Sequence, residues 1–560
     1  MNGLKMTKII CNKTLVKIII FVLLSLLVLV IDKYTNTFDI SKIFSFNGFQ
    51  FLVTLLSLFL LQARKPIAIP LLLIYFISST VAVNYSLIGL KFNFSELNNI
   101  FINHEFIYTA LKTFVSLKEI LYTILIFISW LLVFFIVNTK CFYIKAFSKL
   151  KGLVVILSLL FVGGFFNYYK KGDFDVYPSH MLSAHNLINK FFLYAPLKQR
   201  IEPYSVTINN TFTPHIVLII DESIRGDMLS LNGFNKNTTP FLKANKNYIL
   251  NFGIAAASAS SSHLSNLIIR NGIKPTDLPD RDNSTESNMP LSYYAKKAGF
   301  YTSIFDAQSN GINGGFRESD TKYVDKIIDY NELNSNGLPY RDLKLIDKLI
   351  NTIDNHSKTF SYINKYGSHF YYDDSYPKNQ RHFMPVQSSS TDENNINLRI
   401  TNSYLNSIRW SVDYFWQSLI KKLKDRPVII IYTSDHGQSF GAKSGDFKKY
   451  PPHSGNKVEH AIVPLWVYST NTITEKIFAK YGLGFINNAN KLSHYEIFPT
   501  ILELLGYQKI NDVNLSDLWQ NNIFKANKNS NNFFITTRGS PRLNRAEKIP
   551  FNYPLQSSSP

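Results

Sequence analysis

The sequence predicts two joined parts: an N-terminal α-helical transmembrane domain of about five spans and a C-terminal α/β domain on a mostly parallel sheet. Three observations carry this expectation. Long apolar runs crowd the first third of the chain. From Pro214 onward, short hydrophobic strands alternate with helical patterns. Two of those strands, far apart in sequence, stop abruptly in acidic and imidazole groups: HIVLII (His215–Ile220) runs into Asp221-Glu222-Ser223, and VIIIYT (Val428–Thr433) runs into Ser434-Asp435-His436-Gly437. Open parallel sheets bind ligands beyond the carboxyl ends of their strands, so both stops point at one shared site.

The first apolar run, Lys17 to Ile31, is long enough to span with its flanks, and others lie near 48–63, 67–86, 118–138 and 151–168. A cleaved signal peptide is the rival explanation of the first run; the further apolar stretches and the lack of a small-residue cleavage site argue against it. Lys5, Lys8, Lys13 and Lys17, then Arg64 and Lys65, then Lys140, Lys145, Lys149 and Lys151 alternate along the chain so that all three groups fall on the cytoplasmic side. An odd number of spans then puts everything after about Asn167 outside. The expected organisation is a membrane domain at 1–168, a connector at 169–213, a catalytic domain at 214–545 and a tail at 546–560. In the connector, Tyr194 and Tyr204 suit a lipid interface, although a plain linker with a helix explains the same composition.

In the C-terminal part, strands are expected at His215–Ile220, Tyr301–Phe305, Phe360–Asn364, Val428–Tyr432 and Val463–Tyr468. Helices are expected at Leu291–Ala298, Leu343–Thr352, Asn402–Leu423 and His494–Leu505. The formal charge of +20 suits a phosphate-rich partner. Zinc-finger spacing and basic low-complexity arms are missing, which favours lipid over nucleic acid. Both cysteines, Cys11 and Cys141, precede the catalytic part, so no disulfide framework holds it.

Glu222, Asp435 and His436 offer the oxygen and nitrogen donors that suit Zn²⁺; Mn²⁺ or Mg²⁺ fit an imidazole less well. Between the two strand ends lies AAASASSSHLSN (Ala255–Asn266), a hydroxyl run that leads into an apolar helical turn, where backbone N–H groups favour a phosphate.

Taken together these segments resemble the inner-membrane phosphoethanolamine transferases that modify lipid A, within the alkaline phosphatase/sulfatase superfamily. VLIIDESIRGDMLSLNGF matches the segment with the metal-binding glutamate, which implies that role for Glu222. FGIAAASASSSHLSN matches the nucleophile segment, which implies Ser262 as the nucleophile and as a metal-bound hydroxyl, with Ser260 and Ser261 beside it as alternatives. TSDHGQSFG implies Asp435 and His436 as ligands. YGSHFYYDDSYP and PPHSG imply His369 and His453 as groups that bind the phosphoryl unit or act as general acids. FDAQSN (Phe305–Asn310) resembles a stretch that orders the site through Asp306 and Gln308. Asp221 stands where the family has glycine, as a supporting group or as a ligand to a second metal. The family's cysteines are missing here, and its threonine nucleophile is a serine.

The resemblance implies a sulfatase/alkaline-phosphatase-like domain on the periplasmic side of a bacterial inner membrane, entered by a multi-pass anchor. It implies transfer of phosphoethanolamine from phosphatidylethanolamine to lipid A, core or another envelope glycan through a phospho-serine intermediate, with Zn²⁺ as cofactor. A phosphoglycerol transferase or sulfatase-like phosphodiesterase is the alternative within the superfamily. An inactive metal-binding envelope scaffold is the alternative outside enzymes. His263 and His460 receive no role.

Overall fold

The structure, a computed structural model, describes residues 19, 22–30, 48–62, 65–87 and 117–138 of the N-terminal third. From 198 to 525 it describes all but 210–211, 279, 281–283, 309–315, 334–336, 390–394 and 440–457, and beyond that 533–534 and 547–548. The chain divides into two compact units, with the break at Ala195/Pro196.

In the first unit, residues 22–30 are helical, followed by α1 (Gly48–Leu60), α2 (Lys65–Leu87) and α3 (Leu117–Asn138). Within α3, Ile120–Asn138 is the one helix among the described residues long and apolar enough to cross a bilayer by length and composition. Among the described residues, one of the five expected spans is therefore seen at full length. The 13 residues of α1 rise only about 20 Å against the roughly 30 Å of a hydrocarbon core; the apolar stretch of α2 is Ala68–Thr80, and the run at 151–168 lies outside the described residues. α2 and α3 pack through Tyr75 on Trp130 (ring centroids 5.4 Å apart) and Phe76 on Phe127 (5.1 Å). Trp130 Nε1 donates to Ser79 Oγ at 3.0 Å, which satisfies a polar group that an apolar surround would otherwise penalise.

The second unit is α/β. Its strands are β1 (Val206–Ile208), β2 (His215–Asp221), β3 (Ile249–Ala256), β4 (Tyr301–Asp306), β5 (Lys326–Ile328), β6 (Thr359–Asn364), β7 (Val428–Ser434), β8 (Ile462–Ser469) and β9 (Tyr507–Ile510). Seven of them form the main sheet in the order β3-β8-β7-β2-β6-β4-β5. Pairing is parallel from β7 through β5, and β8 alone runs backwards between β7 and β3. Every residue of β2, β6, β7 and β8 is buried, as expected where helices cover both faces. Ile429, Ile430 and Ile431 are fully buried, each contributing roughly 1.5–3 kcal/mol of transfer free energy.

The helices are α4 (Ser262–Asn271), α5 (Leu291–Lys297), α6 (Arg341–Asn355), α7 (Ile396–Ile408), α8 (Phe415–Leu423), α9 (Asn471–Tyr481) and α10 (Ile497–Leu504). The single long helix expected over Asn402–Leu423 starts earlier and contains a π-helical turn at Arg409–Tyr414 that joins α7 to α8. In that turn Asp413 accepts the backbone N–H groups of Phe241 and Leu242 at 3.0 and 2.9 Å. The strand β3 escapes a periodicity search because Asn251 and Gly253 interrupt ILNFGIAA. The structure resolves the break as a bulge between Asn251 and Ile254, closed by Asn490 Oδ1 accepting Ile254 N–H at 2.8 Å.

The C-terminal end of the connector lies on the α/β unit. Arg200 forks onto Asp320 at 2.9 and 2.6 Å, Tyr323 donates to Glu202 at 2.7 Å, and β1 pairs antiparallel with β9. Tyr204 is 78% exposed. Tyr194 falls outside the described residues.

Candidate active site

Register brings the site together. β2 and β7 pair so that Ile220 lies beside Thr433 and Asp221 beside Ser434, while β6 and β4 end level with them at Asn364 and Asp306. The residue after each strand therefore leaves the sheet at one edge. Asp435 N–H donates to Asp221 carbonyl at 2.9 Å, Ser223 N–H donates to Asp435 Oδ1 at 2.9 Å, and Ser434 Oγ donates to the Asp221 carbonyl at 3.1 Å. These bonds stitch the two strand ends into one rigid rim. Gly437 has to be glycine there: a Cβ would sit 2.2 Å from the Glu459 carbonyl and 2.6 Å from that of Ile462.

Glu222, Asp435 and His436 are fully buried, and one potential ligand atom from each lies within 4.8 Å of the others. His436 Nδ1 donates to the Gly437 carbonyl at 2.8 Å, which sets the tautomer and leaves the Nε2 lone pair facing the carboxylates. That nitrogen is 3.7 Å from Glu222 Oε1 and 3.6 Å from Asp435 Oδ2. Asp435 Oδ2 is buried with no hydrogen-bond donor. Burial pushes the Asp435 carboxyl up to about 7, with the Glu222 charge adding to it, and burial raises Glu222 as well. Two crowded carboxylates, one orphaned oxygen and an imidazole lone pair are the donor set that a divalent cation satisfies. The residues fit Zn²⁺.

Ser262 opens α4, and its Oγ donates to Glu222 Oε2 at 3.0 Å and lies 3.4 Å from His436 Nε2. It is the first residue of a ten-residue helix, so N–H groups of the first turn surround it. Ser261 is the residue before that helix, and Ser260 is buried. Gln308 Nε2 donates to the same Glu222 Oε2 at 3.0 Å and to the Lys365 carbonyl at 2.8 Å. Asp306 accepts Gln308 N–H at 2.8 Å. Ser368 N–H donates to the Glu222 carbonyl at 3.0 Å, which ties the backbone just before His369 to the rim; the His369 ring lies 5.5 Å from that of Tyr366. His453 and Asn310 lie outside the described residues. The fully buried His460 gives its carbonyl to Gly437 N–H at 2.7 Å, an anchor for the rim.

Both carboxylate oxygens of Asp221 already take hydrogen-bond donors. Its Oδ1 accepts Glu222 N–H at 3.0 Å, while Oδ2 accepts Tyr432 OH at 2.7 Å and Lys365 Nζ at 2.5 Å. The alternative in which Asp221 serves as a metal ligand conflicts with this pairing.

His494, which the sequence marked only as the start of a helix, underpins the serine loop. Ser258 N–H donates to its Nδ1 at 3.1 Å and Thr433 Oγ1 lies 3.3 Å from Nε2, so the ring is held neutral. Burial pushes its pKa down to about 3. The unfolded chain takes up a proton near 6.5 where the folded chain does not, so His494 stabilises fully above 6.5 and that stability drains away as pH falls toward 3. The expected result is a His494 contribution to stability that drops on acidification below 6.5, at up to about 1.4 kcal/mol per pH unit, read as the difference in thermal midpoint between the parent and a His494 variant. The same scan on His494→Gln should be shallower by one proton.

This geometry defines an α/β domain with a candidate metal-binding cluster at the carboxyl edge of its sheet and a serine hydroxyl at a helix N-terminus beside it. The family model described as Sulfatase matches residues 214–507, and the chain belongs to that family. Among curated relatives, the Kdo(2)-lipid A phosphoethanolamine 7''-transferase of Escherichia coli K12 is 25% identical over 305 residues, 53% of this chain and 52% of that protein. The phosphoethanolamine transferase EptA of Helicobacter pylori is 27% identical over 298 residues, 51% of this chain and 53% of that protein. The chain thus spans about half the length of the curated relatives it matches. Among solved structures, the integral membrane lipooligosaccharide phosphoethanolamine transferase A of Neisseria meningitidis superimposes with a TM-score of 0.63 at 19% identity, covering 87% of this chain and 95% of that one. That likeness extends the shared fold across most of the chain.

Proposed function

We propose that the chain transfers phosphoethanolamine from phosphatidylethanolamine to a lipid A, core or other envelope glycan acceptor, with its catalytic domain on the periplasmic face of the inner membrane. The observation that carries this is the position of Ser262 Oγ, 3.0 Å from Glu222 and 3.4 Å from His436 at a helix N-terminus. The relatives' names supply the headgroup and the acceptor class.

Glu222, Asp435 and His436 would hold the zinc ion, with Ser262 reaching the same centre. When bound, zinc lowers the pKa of a coordinated hydroxyl and offsets charge on a phosphoryl oxygen. Ser262 Oγ gives up its proton to solvent and attacks the donor phosphorus, the new Oγ–P bond forms, and the bond from phosphorus to the glycerol oxygen breaks. Diacylglycerol leaves with a proton, for which His369 or His453 is the candidate acid. An oxygen of the acceptor then attacks the same phosphorus, the Oγ–P bond breaks, and Ser262 regains its proton. The N–H groups at the start of α4 stabilise charge on the phosphoryl oxygens in both steps.

The test is an assay of the full chain in vesicles, with phosphatidylethanolamine labelled in its acyl chains and lipid A as acceptor. Labelled diacylglycerol and a lipid A mass increased by one phosphoethanolamine unit are expected. Consumption of labelled phosphatidylglycerol instead would assign phosphoglycerol transfer. A protein that binds zinc and turns over neither lipid would be the inactive scaffold.

A further inference from the structure

The chain buries an ammonium group completely beside this site. Lys365, directly after β6, is fully buried. Its Nζ lies 2.5 Å from Asp221 Oδ2, 2.5 Å from the Ser411 carbonyl in the π-helical turn, 3.9 Å from Asp342 Oδ2, and 4.1 Å above the Phe415 ring. Taking an ammonium and a carboxylate out of water costs several kcal/mol per ion, and such pairs are often replaceable by apolar side chains without loss of stability. The contacts of this pair converge on one residue.

Three routes lead from Lys365 to Glu222. Its ammonium holds Asp221, whose other oxygen accepts the Glu222 N–H at 3.0 Å. Its carbonyl holds Gln308, whose amide also donates to Glu222 Oε2. The chain that follows it turns back at Gly367, and Ser368 N–H donates to the Glu222 carbonyl at 3.0 Å. Gly367 has φ +57 and sits so close that a Cβ would meet Asp221 Oδ1 at 2.2 Å. Asp342 fixes the same turn by accepting the N–H groups of Tyr366 and Gly367 at 2.8 and 3.0 Å.

We propose that the buried Lys365–Asp221 ion pair is a positioning device for the metal ligand Glu222, locking its backbone. This rests on Glu222 holding a metal, as proposed above. Groups that orient a ligand commonly change metal affinity by 10- to 100-fold when removed. Lys365→Met leaves an uncompensated buried carboxylate and should lose stability as well as zinc affinity. The charge-balanced double variant D221N/K365M separates the two effects.

Zinc affinity of the detergent-solubilised full chain is measured by competition with a chromophoric chelator, and the thermal midpoint is measured in the metal-free state. The double variant is expected to keep a metal-free midpoint near that of the parent and to bind zinc about 10- to 100-fold more weakly. A folded double variant that binds zinc like the parent overturns the positioning role and leaves the metal centre standing. A double variant that does not fold makes the pair a structural element and also overturns it. A parent chain that binds no zinc removes the metal reading itself, and the pair's role with it.

Discussion

Ser262→Ala is expected to abolish transfer, by on the order of 10³-fold or more, while the protein stays folded and keeps most of its zinc. The expected size follows from what the hydroxyl does. It is the atom that forms the bond to phosphorus, and the bare donor phosphodiester offers water no comparable route. The retained fold follows from its contacts: Glu222 Oε2 keeps the Gln308 amide when the serine donor is lost, so no buried oxygen is orphaned. Incubating the parent chain with donor and no acceptor should trap a phosphoethanolamine adduct, and peptide mass spectrometry should place it on Ser262. Ser261→Ala serves as the control, since Ser261 precedes the helix and should fall within about tenfold of the parent. An adduct at Ser260 or Ser261, or full activity in Ser262→Ala, would sink the assignment.

Much of this site can be read from the sequence because its parts sit at strand ends. A strand buried on both faces is a continuous apolar run, so β2 and β7 declare themselves, and the first polar residue after each run must leave at the rim. Glu222, Asp435 and His436 were legible for that reason. Ser262 needed the resemblance, because three consecutive serines look alike until the start of α4 fixes which one faces Glu222. Lys365 and His494 were not legible. Each owes its place to register: Lys365 faces Asp221 only because β6 lies beside β2, and His494 reaches Ser258 across the end of β3. The π-helical turn was hidden too, since its apolar spacing fits an α-helix on paper. Ser493 and Glu496 did offer a local signal, a capping box in which Ser493 N–H and Oγ both donate to Glu496. The membrane part was read from hydropathy alone, and among the described residues one helix, Ile120–Asn138, is long and apolar enough to span.

Asp435→Asn should move stability and metal binding in opposite directions. In the metal-free protein, burial and the Glu222 charge push the Asp435 carboxyl up to about 7, against about 3.9 in an unfolded chain. Between those values the folded state binds the extra proton, so stability falls as pH rises from 4 to 7 and the loss is complete above 7. An asparagine carries no charge to repel Glu222. Its side-chain oxygen can still accept the N–H groups of Ser223 and His436, which Oδ1 takes at 2.9 and 2.6 Å. The metal-free variant should therefore melt higher than the parent at pH 8. The same change puts an amide N–H₂ where Oδ2 faces His436 Nε2 at 3.6 Å, replacing an anionic donor with hydrogens. At about 3–5 kcal/mol for breaking a buried charge pairing, zinc affinity should fall roughly 10²- to 10⁴-fold, and zinc should no longer raise the midpoint. Calorimetry with and without zinc at pH 8 reads both effects in one experiment. A rigid structural carboxylate would give the opposite pattern: a less stable metal-free protein whose zinc affinity is unchanged.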